Sequence, residues 1–131
     1  MKKILFVCVH NSARSQMAEA FFNALSRRKG LAISAGTRPA KNINATVLKV
    51  MKESGLDIVN QKPKLLSLEM LKESDLVIAM GCNIAEACPI SFTPAEDWEV
   101  PDPEGKSIAE VRLIRNEIES KVRKLIDEMQ G

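Results

Sequence analysis

From Ile4 to Val9 the chain runs through six consecutive apolar residues and then meets His10-Asn11-Ser12. An apolar run without polar alternation predicts a strand over residues 3–8 that is covered on both faces. Beyond a polar loop at 9–13, Met17, Phe21 and Leu25 recur every four residues with Phe22 beside them, which predicts a helix from about 13 to 29. Gly30 follows as a stop signal, and Arg27-Arg28-Lys29 fall where a last helical turn favours positive charge. A buried strand that passes through a short loop into an amphipathic helix is the opening unit of an α/β sheet.

The rest of the chain repeats that alternation. Residues 31–35 (Leu-Ala-Ile-Ser-Ala) form a short strand closed by Gly36. Asn44 is placed to cap a second helix, with Val47, Leu48 and Met51 inward and Gly55 at its end. Ser67 is placed to cap a short helix over 68–73, and Asp75 to Met80 is a third buried strand. Residues 81–96 are expected to be irregular or partly helical, and an extended piece from Asp97 to Val100 leads into Pro101-Asp102-Pro103. Ser107 and Glu110 make a capping box. Val111, Ile114, Ile118, Val122, Leu125 and Met129 then repeat at helical spacing. The expected architecture is one α/β domain over 1–131, in three layers, with a four-stranded parallel sheet flanked by helices.

Composition narrows the function. A net charge of +2 and 4% aromatic residues with no Tyr offer neither a basic face nor stacking surfaces for nucleic acid. No stretch reaches the length of a membrane span, and Lys2-Lys3 followed by six apolar residues is too short for a secretory leader. Three cysteines are too few for a secreted disulfide scaffold. The expectation is a cytoplasmic protein whose disulfides, if formed, are transient.

Cys8 stands at the end of the first strand and Arg14 at the start of the first helix. Ligands of parallel sheets bind at the carboxyl ends of strands, and a helix N-terminus aims free N–H groups and positive charge at the same place. An ordinary thiol is only a few per cent thiolate at neutral pH, and a helix N-terminus with a nearby guanidinium raises that fraction. Arg14 can hold two anion oxygens in its planar fork. Ser12 and Ser15 offer hydroxyls, and Asn11 tolerates a left-handed backbone. Taken alone, Cys8 could equally be a small core residue and Arg14 a surface residue; the strand–loop–helix context favours an oxyanion site. His10, the single histidine, is assigned no role.

Cys8-Val9-His10-Asn11-Ser12-Ala13-Arg14-Ser15 resembles the anion loop of the low-molecular-weight protein tyrosine phosphatases and of the thioredoxin-coupled arsenate reductases that share their fold. The likeness extends through Gln16-Met17-Ala18-Glu19, Ser34-Ala35-Gly36, Ser74-Asp75-Leu76-Val77, Asp102-Pro103 and the last helix. His10 departs from it, because the phosphatases usually carry Gly there. The resemblance implies Cys8 as nucleophile, Arg14 as clamp, and Asn11 and Ser15 as groups that shape the loop or stabilise the thiolate. The oxyanion-binding loop is then residues 9–15: Val9, His10, Asn11, Ser12, Ala13, Arg14 and Ser15. Asp102, which on sequence alone is a turn residue between two prolines, becomes the general acid that protonates the leaving oxygen. A carboxyl facing a bound anion holds its proton more readily.

Cys82 and Cys88 separate the two activities, since a phosphatase needs one cysteine. They could be inert packing residues. A zinc site with Cys8 and His10 is disfavoured, because Cys8-x-His10 and Cys82-x5-Cys88 do not match paired-ligand spacing. The resemblance implies a relay in which Cys82 attacks the Cys8 adduct, arsenite leaves, and Cys88 resolves the Cys8–Cys82 disulfide. Pro89 after Cys88 fits it. Six residues of helix separate two Cα atoms by about 9 Å, against about 5.5 Å in a disulfide, so a helical 82–88 segment must unwind on oxidation, with Gly81 as hinge. Glu104-Gly105-Lys106 follows Asp102-Pro103 where the phosphatases place aromatic residues that flank phosphotyrosine.

The expected activity is arsenate reduction to arsenite by a monomer recycled by thioredoxin, with arsenate or phosphate as ligand and no cofactor, metal, nucleic acid or membrane partner. The alternatives are a low-molecular-weight phosphatase working through a Cys8 phosphoenzyme, with weak phosphatase activity expected in either case, and a non-catalytic oxyanion or redox sensor. Asn11, Glu19 and Ser34 match positions that hold a monovalent cation in some relatives. Lys64 lies near the expected carboxylate ligand, so no cation is assigned.

Overall fold

The computed structural model describes residues 1–27, 29–81 and 95–130. β1 (Lys2–Cys8) lies inside a four-stranded sheet with β2 (Gly30–Gly36) on one side and β3 (Leu76–Ala79) on the other. β4 (Ala95–Asp97) completes the order β2-β1-β3-β4, and every pairing is parallel. Alternation along β1 divides the core. Ile4, Phe6 and Cys8 join the apolar cluster on one face, and Leu5 and Val7 join the cluster on the other. With both faces covered, every interior position of this strand is apolar, which is why the sequence shows a run and not an alternation.

The first face carries α1 (Arg14–Leu25), α2 (Ala45–Glu53) and the long α4 (Ile108–Gln130), and α3 (Leu68–Glu73) covers the second through Leu71. The expected three-layer α/β architecture is therefore the one observed. Caps set the helix ends. Asn44 Oδ1 accepts from the N–H groups of Thr46 (2.8 Å) and Val47 (3.2 Å). Gly55, at φ +82°, closes α2, with its own N–H on Lys52 O and that of Leu56 on Met51 O. Ser67 caps α3 through Met70 N–H, and Ser107 and Glu110 form the capping box of α4. Among the described residues no helix is long and apolar enough to cross a membrane.

Two boundaries differ from expectation by more than one residue. α1 ends at Leu25, with no basic residue in its last turn. Arg27 takes the left-handed conformation at φ +50° and so does the work expected of Gly30. Gly30 instead begins β2, where a Cβ would lie 3.0 Å from both Lys2 O and the Phe22 ring. The fourth strand is 95–97 rather than 97–100; past it, Trp98 N–H still bonds Ala79 O and Val100 turns inward.

α4 is fastened to α2 by Glu53, whose carboxylate accepts from Arg112 Nε and Nη2 and from Arg115 Nη1, while Arg115 Nη1 also reaches Val50 O. The Arg112 hydrogen bonds lead in holding the Glu53 pKa down to about 2, with Arg115 adding to them.

Candidate active site

Between β1 and α1 the backbone is held from behind. Cys8 O accepts from Thr37 N–H, Val9 O from Arg38, His10 O from Ala40 and Ser12 O from Asn44, so the segment after β2 takes four successive contacts along the loop. Asn11 O accepts from Gln16 Nε2 and Ala13 O from Met17 N–H. In a planar trans peptide the N–H points opposite to the preceding carbonyl. Drawing these carbonyls outward therefore turns the following amides to the other side, where the Cys8 sulfur lies; the Asn11 N–H meets that sulfur at 3.1 Å. The N–H groups of His10, Ser12 and Ala13 have no acceptor among the described residues. Ala13, the N-cap of α1, offers no side-chain cap, whereas α2, α3 and α4 are capped by Asn44, Ser67 and Ser107. An uncapped N-terminus beside a nest of amides presents free donors and positive charge, the features that favour an anion. Gly36 permits the close approach of the two segments, since a Cβ there would fall 2.6 Å from Val9 O.

The sulfur is buried at the floor of this nest and lies 2.8 Å from Ser15 Oγ. Ser15 Oγ also accepts from Asn11 Nδ2 at 2.7 Å. A hydroxyl has one proton, so with Asn11 as donor on one side its own proton is available to the sulfur. Asn11 holds φ +50°, and its Oδ1 accepts from Lys64 N–H (2.8 Å) and Gln16 Nε2 (3.0 Å). Gln16 is fully buried, donates also to Lys62 O, and accepts from Gln61 Nε2 at 2.7 Å. This brace of Gln16 and Gln61 was not legible in the sequence as a site element. Its signal is a glutamine on the buried side of an amphipathic helix, next to Met17.

Arg14 projects from the first turn of α1 with its guanidinium nearly covered. Nη1 donates to Val100 O at 3.0 Å, and Nη2 stands 3.9 Å from Asp102 Oδ2. Asp102 is half exposed, and its Oδ1 accepts from Glu104 N–H, a tight turn held between Pro101 and Pro103. The cavity between them has a volume of about 380 Å³ and is lined by Cys8, His10, Ser12, Ala13, Arg14, Ala40, Asn42, Asn44, Asp102 and Glu104. Four residues of the expected loop and the expected acid thus share one cavity with the expected nucleophile. Asn11 and Ser15 lie behind the sulfur, and Val9 packs toward the opposite core cluster. Among the described residues no Phe, Trp or Tyr lines the cavity; Glu104 does. Glu19, matched earlier to a cation position, accepts from Ser34 Oγ at 2.9 Å and lies 3.6 Å from Lys64 Nζ. Cys82 and Cys88 lie outside the described residues.

A buried cysteine and an arginine with five residues between them stand at the junction of a parallel strand and an uncapped helix, facing a carboxylate, on a three-layer α/β domain. The chain belongs to the low-molecular-weight phosphotyrosine protein phosphatase family, whose model matches residues 3–131. It is 37% identical to a putative arsenate reductase of Halobacterium salinarum, over 96% of this chain and 92% of that one. Its structure superimposes with a TM-score of 0.86 on a thioredoxin-dependent arsenate reductase of Corynebacterium glutamicum at 34% identity, covering 99% of this chain and 62% of the other. It also superimposes, with a TM-score of 0.84 at 27% identity, on an arginine phosphatase of Geobacillus stearothermophilus, covering 99% and 94%.

Proposed function

We propose that the chain reduces arsenate to arsenite. The Cys8 thiolate attacks arsenic, the bond from arsenic to one arsenate hydroxyl breaks, and that hydroxyl leaves as water with a proton from Asp102. Arg14 and the loop amides hold the remaining oxygens. Cys82 then attacks the Cys8 sulfur; the S–As bond breaks, its electron pair stays on arsenic, and arsenite departs with arsenic reduced by two electrons. Cys88 attacks Cys82, frees Cys8 and forms a Cys82–Cys88 disulfide that a thioredoxin-type dithiol reduces. The observation that carries the first step is the sulfur itself, buried under the loop with Ser15 Oγ and Asn11 N–H as donors and Arg14 and Asp102 across the cavity. The relay is supported by the two further cysteines in the sequence and by relatives named as arsenate reductases.

A second reading, a phosphatase working through a Cys8 phosphoenzyme, is favoured by one observation. Cys8, Arg14 and Asp102 already form a complete set for phosphoryl transfer without another cysteine. The deciding experiment follows arsenate-dependent oxidation of thioredoxin with wild type, Cys82→Ser and Cys88→Ser, alongside hydrolysis of a phosphotyrosine peptide. Reduction requires both cysteines to matter. If both serine variants match wild type with arsenate, the relay is wrong. Brisk peptide hydrolysis with no arsenate turnover establishes the phosphatase.

A further inference from the structure

Arg14 does not reach its position through α1 alone. Gly81 follows the end of β3, anchored by Met80 N–H on Val7 O (2.8 Å), by Trp98 N–H on Ala79 O (2.8 Å) and by its own N–H on Asp97 Oδ1 (3.4 Å). A Cβ built on Gly81 would fall inside the van der Waals envelope of Arg14 Nη1, 3.1 Å from Arg14 Cζ and 3.2 Å from Val100 O. The same Nη1 donates to Val100 O, so the guanidinium is held between that carbonyl and the bare Cα of Gly81.

We infer that Gly81 is a positioning residue for oxyanion capture, because the side chain it lacks is the space in which the Arg14 guanidinium lies. The inference rests on the reading of the Cys8–Arg14 loop as an oxyanion site. The atom that a new Cβ meets is the far end of a flexible side chain. The fold accommodates a substitution by swinging the guanidinium aside, and the loss falls on anion affinity. Backbone strain is the competing explanation, since Gly81 holds φ +81°. The molecule contains its own control: Gly55 holds φ +82° with nothing within 4 Å of a Cβ built there.

The test measures inorganic phosphate binding to the full chain, through protection of Cys8 from iodoacetamide read at the Cys8 peptide by mass spectrometry. Gly81→Ala is expected to weaken phosphate about tenfold or more, the scale of one charge-assisted hydrogen bond. Gly55→Ala, with equal strain, stays within about twofold of wild type. In an Arg14→Ala background there is no guanidinium to displace, and adding Gly81→Ala changes affinity by less than about twofold. Gly81→Asn guards against misfolding, because Asn accepts the left-handed backbone while its Cβ meets the same atom. The inference is overturned if Gly81→Ala and Gly81→Asn bind like wild type, if Gly55→Ala loses as much, or if the loss persists without Arg14. If phosphate gives wild type no protection, the reading of the loop falls and takes this inference with it. Loss confined to the position-81 variants leaves that reading intact.

Discussion

Asn11 donates its side-chain amide to Ser15 Oγ at 2.7 Å, and that contact leaves the hydroxyl proton of Ser15 for the Cys8 sulfur 2.8 Å away. Ser15→Ala removes one of the two donors at the sulfur. A hydrogen bond to a charged group contributes about 1.5–3 kcal/mol, so the iodoacetamide reactivity of Cys8 at pH 7 should fall about tenfold or more. Fold stability should change little in comparison. A variant that alkylates like wild type would show that Ser15 does not act on the sulfur.

Arg14 and Asp102 face each other at 3.9 Å across the cavity. Asp102→Asn keeps the shape and removes the transferable proton. Turnover should fall about 10²–10⁴-fold. Phosphate affinity should hold, because the amide keeps the shape of the cavity wall. Parallel losses in turnover and phosphate affinity would mean that Asp102 builds the site and does not donate the proton.

Gln16 joins the loop to the chain near Lys62 through three donor contacts. Gln16→Leu keeps the volume and leaves buried acceptors unpaired, which costs about 1–3 kcal/mol. Urea unfolding should register that loss, and phosphate binding should weaken with it. If stability falls with no effect on phosphate, the brace serves the core alone.

Glu53 is ionised down to about pH 2 in the folded protein, against an ordinary value of 4.5, because Arg112 and Arg115 hold it. A carboxylate depressed by folding stabilises the native state at pH values above its unfolded value, and the contribution disappears as pH falls through the folded value. The urea midpoint of wild type should therefore exceed that of Glu53→Gln at pH 7, and the gap should close between about pH 4.5 and 2. A gap that stays constant over that window would remove the ion pairs from the account of stability.

The order of strands and helices was legible because apolar runs and helical stripes survive in one dimension. Cys8, Arg14 and Asp102 were legible because their chemistry is carried by residue type. The structure brings all three to one cavity, and their roles await the experiments above. What stayed hidden is carried by backbone or by distance. The carbonyl contacts from residues 37–44 leave no mark in side-chain identity. Gln16 and Gln61 are 45 positions apart and meet only through tertiary packing. Gly30 looked like a stop, yet Arg27 made the left-handed turn, at a position where residue type gives no warning. β4 is three residues long, and pairing with β3 selects which three.

The stretch that grips the loop carbonyls from behind also decides how much freedom evolution has at the mouth. Because amide direction is imposed from outside, exchanges at His10 or Ser12 alter what lies along the wall without disarming the nest. A single residue inserted between Gly36 and Asn44 would shift that grip out of step and blunt capture while every loop side chain stayed the same.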